Sequence, residues 1–270
     1  MSKAGVSFRG PLGAWLDRAP PAVECVEVIA EHFYSAGRGR VRLLGEKFPL
    51  FLHTERLSLG TPGPLDEREL GALATLVSEV RPRWVSDHLG FRCTSEVDLG
   101  SPVPMLLDER SLDLMAERVQ RVMDVCRLPL LLENLSSPLV IQSPFSEPEF
   151  LNRLCERTGC GVLLDVTALF VSSRNLGFDP LRWLHELDPG RIVQVHVGGC
   201  RERDGCWEDA HAGPVHEDVW ALLGDVLSAG LVEAVVLERD ASFPPPEELT
   251  QELRRIKSLT HAGDGIGTGV

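Results

Sequence analysis

The stretch Leu130-Leu131-Leu132-Glu133-Asn134 decides the fold. Three leucines after Pro129 make the short apolar run of a strand buried on both faces. The run ends on a carboxylate, and a carboxylate at the end of a buried strand needs a cation, a metal or a hydrogen-bond donor. The same pattern recurs in both directions along the chain. Toward the N-terminus, LFLH ends at His53 and WVSDH at His88. Toward the C-terminus, GVLLD ends at Asp165, VQVH at His196 and AVVLE at Glu238. Six such runs in order, separated by helix-like segments, predict strand ends converging on one site.

Two earlier runs, residues 5–8 and 25–30, bring the strands to eight, with Glu27 and Glu31 on or just after the second. Residues 65–80 carry Leu70, Leu73, Leu76, Val77 and Val80 at helical spacing, with acids in the first turn. Residues 109–126 repeat this with Leu112, Met115, Val119, Val122 and Met123. Ser146, followed by Pro148 and Glu149, has the signature of a helix start over 146–158. Shorter helices are predicted over 12–18, 179–187, 216–227 and 247–259. The segment to Lys47 is basic and turn-rich. Residues 89–108 and 198–214 read as polar loops, and glycine-rich residues 263–270 as a flexible tail. Eight strands with helices in nearly every gap predict a single-domain (β/α)8 TIM barrel over residues 1–262. An open doubly wound sheet would want a glycine-rich phosphate loop after an early strand, and the sequence has none.

Composition narrows the function classes. The 270 residues carry 40 acidic and 27 basic side chains, a formal charge of −13 that argues against nucleic-acid binding. No apolar run approaches the roughly 20 residues that span a bilayer, and no signal-peptide pattern opens the chain. A cytoplasmic protein with no membrane partner is the expectation. Seven cysteines, irregularly spaced and without a CxxC pair, support neither a zinc ribbon nor a disulfide scaffold. Cys25, Cys126, Cys155 and Cys160 lie among apolar residues and read as small core residues.

In a barrel, the carboxyl ends of the strands form the active-site face. His53, His88, Glu133, Asp165, His196 and Glu238 would end strands three to eight, a mixed nitrogen and oxygen set. Such a set suits iron, manganese or zinc better than a thiolate site does, and a bridging carboxylate suits a pair of metals. Taken singly, a histidine after a strand is more often a hydrogen-bonded histidine than a ligand. A carboxylate there often caps the next helix. Six together are harder to explain that way. Asp209-Ala210-His211, in the loop after the seventh strand, offers a further metal or substrate contact.

Several motifs resemble one known family. VSDHL (85–89), LLLENLSS (130–137), EFLNRLCERTGCGVLLDV (149–166), NLGFDP (175–180), QVHVGG (194–199), DAHAGPV (209–215) with Val219-Trp220, and LERD (237–240) are similar in kind and order to the multinuclear non-haem iron-dependent oxidative enzymes. That group is typified by the methanobactin-biosynthesis oxygenase, and the likeness runs from about residue 5 to 259. The resemblance implies a TIM barrel holding two or three irons (Fe). It also implies dioxygen as co-substrate, a ribosomally made precursor peptide modified often at cysteine, and a small partner protein that presents the peptide. By position, the six strand-end residues match metal ligands, with Glu133 the bridge. Glu133, Asp165 and His196 take catalytic roles, and Asp209 and His211 match ligands of a third metal.

The chain also departs from the family. Thr167-Ala168 stands where the family has Asn-Asn or Asn-His, and HVGGC, with Cys200, where it tends to read HLAGH. These changes imply a weakened third site, with Cys200 as a substitute ligand or a structural thiol. Two other readings stay open: a divalent-metal hydrolase or isomerase of the sugar-isomerase or endonuclease type, and an impaired relative that only binds peptide.

Overall fold

Alternation along the strands organises the molecule. The computed structural model describes residues 2–94, 96–230 and 232–264. Eight parallel strands close into a barrel: β1 (Lys3–Ser7), β2 (Cys25–Ile29), β3 (Leu50–His53), β4 (Val85–His88), β5 (Leu130–Glu133), β6 (Gly161–Asp165), β7 (Ile192–Gly198) and β8 (Ala234–Glu238). Closure comes from β1 pairing with β8, Lys3 opposite Ala234 through Val6 opposite Leu237. Successive side chains on a strand point to opposite faces. Val26 and Val28 pack outward against the helices, whereas Cys25, Phe51, Trp84, Leu131, Leu163, Ala234 and Val236 fill the lower interior as a separate apolar cluster. Continuing each inward row toward the carboxyl end leads to Glu27, His53, Ser86 and His88, Glu133, Asp165, His196 and Glu238. The barrel is apolar at one end and polar at the other.

Helices cover the outside, and their caps follow local chemistry. Helix α1 (Arg38–Gly45) occupies the basic segment before β3, which the sequence left open. Helix α2 (Glu67–Val80) starts where Asp66 accepts the Arg68 and Glu69 N–H groups, and buries the five apolar residues expected of it. Asp108 and Ser111 form a reciprocal capping box on α3 (Glu109–Cys126). Ser146 accepts from the Glu149 N–H to start α4 (Glu147–Thr158). The wall is completed by α5 (Val166–Leu176), α6 (Pro180–Glu186), α7 (Glu217–Ala229) and α8 (Pro246–Asp264).

Some sequence expectations are corrected. Helix α5 was not anticipated: VTALFV continues the apolar run of β6 with no break in composition, so periodicity could not separate them. Both polar loops contain hairpins, Phe91–Cys93 with Asp98–Val103 and Cys200–Arg203 with Cys206–Asp209. The second turns at Asp204-Gly205, both at positive φ (52° and 79°). That dipeptide is a strong hairpin signal, and it was legible. Strand β7 runs two residues past His196, which therefore does not end it. Helix α8 extends past residue 262, where the tail was expected to begin, and residues 265–270 lie outside the described residues.

Candidate metal centre

The polar end of the barrel gathers all eight residues singled out in the sequence. His53, Glu133, Asp165, His196 and Glu238 are each at most 6% exposed. They form three groups whose ligand atoms lie within 4.8 Å of one another: His53, His88 and Glu133; then Glu133, Asp165, His196 and Glu238; then Asp165, Asp209 and His211. Glu133 belongs to the first two groups and Asp165 to the last two, so the groups form a continuous chain.

Atom by atom, Glu133 faces two ways. Its Oε2 lies 3.5 Å from His53 Nε2 and 3.4 Å from His88 Nε2, while its Oε1 lies 2.9 Å from His196 Nδ1. His196 Nδ1 is also 3.2 Å from Glu238 Oε2. Asp165 uses one oxygen to accept the Ala168 N–H at 2.8 Å, capping α5, and holds the other 3.5 Å from His211 Nε2. Asp209 Oδ1 is 3.0 Å from the same His211 nitrogen. His211 therefore points into the site. The Asn134 amide ties β5 to β6 by donating to the Asp165 carbonyl at 2.9 Å and accepting the Asp165 N–H at 2.8 Å.

The electrostatics fit a cation site. Burial raises the Glu133 and Asp165 carboxyls, Asp165 further through Asp209. Burial alone would lower His196, yet Glu27, Glu238 and Glu133 hold it well above the usual imidazole range. His211 is likewise raised, by Glu238, Asp209 and Asp165 acting against burial. Glu133 and Asp87 bring His88 up to about 9 against the same penalty. His53 is pushed well down by burial and by the neighbouring His88 and His196. Buried charge costs several kcal/mol per ion unless it is paired and fully hydrogen-bonded. Among the described residues, Glu133 Oε2, Asp209 Oδ1 and His211 Nε2 are buried and make no well-aligned hydrogen bond, the last two facing each other at 3.0 Å as an ion pair. Orphaned lone pairs converging from imidazoles and carboxylates are what a divalent cation satisfies, and this donor set matches iron, manganese or zinc.

The third group gathers three candidate ligands, because Asp165 also faces it beside Asp209 and His211. Ala168 supplies only its backbone N–H. Cys200 sits opposite Asp209 in the hairpin register but is not among the gathered ligand atoms. Burial and the Asp209 carboxylate push its thiol up to about 11, so it remains protonated near neutral pH.

A cavity of about 780 Å³ opens above these groups. Ser101 and Pro102 of the first hairpin and Cys206 and Trp207 of the second stand in its wall. Trp207 is pinned to α5 by an edge-on contact with Phe170, centroids 5.0 Å apart, and by paired 2.8 Å hydrogen bonds with the Asn175 amide. Arg9, also in the wall, lies 3.5 Å from Glu238 and 2.6 Å from Asp240. Sequence reasoning gave no role to Arg9 or to Glu27, although an inward-facing carboxylate on a strand was a readable signal.

These features define a TIM barrel with a candidate histidine–carboxylate metal-binding cluster at its carboxyl face. The family described as RiPP precursor modification enzyme MbnB/TglH/ChrH matches residues 3–261, and the chain belongs to it. Proteins named UPF0276 protein are similar over nearly the whole length. One from Rhizorhabdus wittichii is 35% identical over 96% of this chain and 95% of its own. One from Anaeromyxobacter sp. is 37% identical over 96% and 93%. Among solved structures, endonuclease IV from Thermus thermophilus (TM-score 0.63, 18% identity, 96% of this chain and 99% of that one) shares the fold. So does a xylose isomerase domain-containing protein from Salmonella typhimurium (TM-score 0.66, 14% identity, 96% and 97%). No helix among the described residues is long and apolar enough to cross a membrane.

Proposed function

We propose that the chain oxidises a ribosomally made precursor peptide, with iron held at the barrel mouth and dioxygen as co-substrate. The observation that carries this reading is the continuous chain of three ligand groups sharing Glu133 and Asp165, in a member of a precursor-peptide modification family. His53, His88 and Glu133 would hold one ion, and Glu133, Asp165, His196 and Glu238 a second. Asp165, Asp209 and His211 would hold a third. When bound, iron supplies dioxygen activation and the electron transfer that side chains cannot provide.

The chain's own residues do the rest. Glu133 offers one oxygen to each of two adjacent groups, spreading its charge over both. Glu238, held well below the usual carboxylate range by His196 and His211 against the cost of burial, stays ionised as an oxygen donor. The cavity admits a peptide side chain, and the two hairpins form part of its wall. Cysteine is the proposed target and a small peptide-presenting protein the proposed partner; both rest on the family resemblance.

The test is the mass of a precursor peptide from the same gene neighbourhood after incubation with Fe(II)-loaded protein. A mass change that requires both iron and dioxygen, and is lost in Glu133→Gln, supports the reading. The same change without dioxygen points instead to hydrolysis or isomerisation. Tight binding without turnover points to a binding-only relative.

A further inference from the structure

His196 has two nitrogens, and only one can face the ligand groups. Its Nδ1 lies among Glu133 and Glu238, and its Nε2 points down into the barrel. Beneath it is Glu27, on β2 and wholly buried, with carboxylate oxygens 2.9 and 3.0 Å from Nε2. Strands β2 and β7 are not neighbours in the barrel, so this contact crosses the interior. Glu27 is itself held in place. Trp84, stacked on Phe51 with centroids 4.1 Å apart, donates its indole N–H to Gln194 Oε1 at 2.6 Å. An indole N–H can only donate, so the Gln194 carbonyl must face Trp84 and its NH2 group must face Glu27. The Gln194 nitrogen also lies 2.9 Å from His196 Nε2, two nitrogens competing for the same carboxylate. Among the described residues His53, by contrast, is backed by the neutral Ser86 hydroxyl, 2.9 Å from its Nδ1.

We propose that Glu27 is a positioning residue of the metal centre: it accepts the Nε2 proton of His196 and so presents Nδ1 to the ions. A carboxylate behind a ligating imidazole fixes the tautomer, locks the ring orientation and makes the imidazole a stronger donor. Glu27 touches neither the cavity nor any reacting atom, so its role runs through His196 alone. This inference rests on the metal reading above.

Two measurements test it, neither of them turnover. In the first, Fe(II) is titrated anaerobically into the wild type, Glu27→Ala and Glu27→Gln, each freed of metal and shown to be folded by its thermal transition. Loss of a ligand's backing group costs about 10- to 100-fold in metal affinity. Glu27→Ala should lose about that much for the ion held by His196 while keeping the ion held by His53, His88 and Glu133. Glu27→Gln, which retains one carbonyl acceptor, should fall between Glu27→Ala and the wild type. Folded variants that bind iron as the wild type does overturn the proposal. In the second, long-range ¹H–¹⁵N correlation of the Zn(II)-loaded wild type reads the His196 ring directly and needs no variant. A metal-bound Nδ1 with a protonated Nε2 is expected, and a metal-bound Nε2 overturns the proposal. A wild-type chain that binds no metal removes the metal reading itself, and this inference with it.

Discussion

Glu31 shows how one buried carboxylate tunes the scaffold beside the site. Its Oε1 accepts the N–H groups of Glu55 and Arg56, at 2.8 and 2.9 Å, and so anchors the chain just after His53. Its Oε2 is buried without a hydrogen-bond partner among the described residues, and burial pushes the carboxyl up to about 7 from an ordinary value of 4.5. The folded chain therefore keeps this proton where the unfolded chain has lost it. Stability is highest below pH 4.5 for this group and falls as pH rises through about 7. At about 1.4 kcal/mol per unit, the loss is at most about 3.5 kcal/mol. Glu31→Gln should match the wild type in denaturant midpoint near pH 4.5 and exceed it at pH 8, by about 1–3 kcal/mol. A variant less stable at both values would show that the two backbone hydrogen bonds need the charge. The sequence placed Glu27 and Glu31 on or just after β2, among otherwise apolar residues. Which groups they meet depends on segments far away in the chain, so no local pattern could supply it.

Among the elements, the loop after β7 depends most on close approach. A Cβ on Gly198 would sit 2.6 Å from the His211 ring, and one on Gly199 would sit 2.2 Å from the Ala212 carbonyl oxygen. The two glycines let residues 211–213 close over the strand. His211 takes φ 42°, a left-handed conformation that costs a non-glycine residue about 1–3 kcal/mol and tends to persist at functional sites. Gly198→Ala should displace His211 and weaken the third ion while sparing the two bound through Glu133. Anaerobic metal counting checks this: the wild type should exceed the variant by the third ion's occupancy, and equal counts would sink the prediction. Even in the wild type we expect that ion to be the weakest held, since Ala168 offers no side-chain ligand. Asp165 belongs to this scale as well, being both a helix cap and a member of two of the candidate ligand groups. Asp165→Asn should keep most of the cap, whereas Asp165→Ala loses roughly 1 kcal/mol with it. Thermal midpoints of the metal-free variants would separate the two roles, since both should lose metal.

For the whole molecule, an ion that binds only the folded chain couples binding to folding. Ligand at about 100 times its dissociation constant stabilises the folded state by about 2.7 kcal/mol. For a chain of this size that is about 5–10 °C in thermal midpoint, at about 2–4 °C per kcal/mol. Anaerobic Fe(II) should raise the midpoint by that much, a chelator should reverse it, and Glu133→Gln should abolish most of it. Protons compete with the ions. His196 and His211 are held well above the imidazole range and His88 near 9, so binding near neutral pH must expel protons. Affinity should climb as pH rises from 6 toward about 9, and acid should release the metal. Flat affinity over that range would mean the histidines are not the ligands.

The amino-acid sequence by itself determined the eight strands, most of the helices and the barrel they make, because hydrophobic period and cap chemistry are written locally. It also named the eight residues that the barrel mouth gathers: six because polar residues at the ends of buried strands stand out against the apolar runs before them, and Asp209 and His211 from the Asp-Ala-His motif in the loop after β7. It did not separate β6 from α5, where the apolar run is unbroken. Tertiary structure alone decided which oxygen of Glu133 faces which group, that Asp165 turns toward His211, and that His196 meets Glu27 across the barrel. Those contacts join strands that are distant in sequence, and Glu27 and His196 do not even lie on adjacent strands. They are set by closure, register and stagger of the barrel, which bring inward rows of side chains to a common height only once all eight strands are in place.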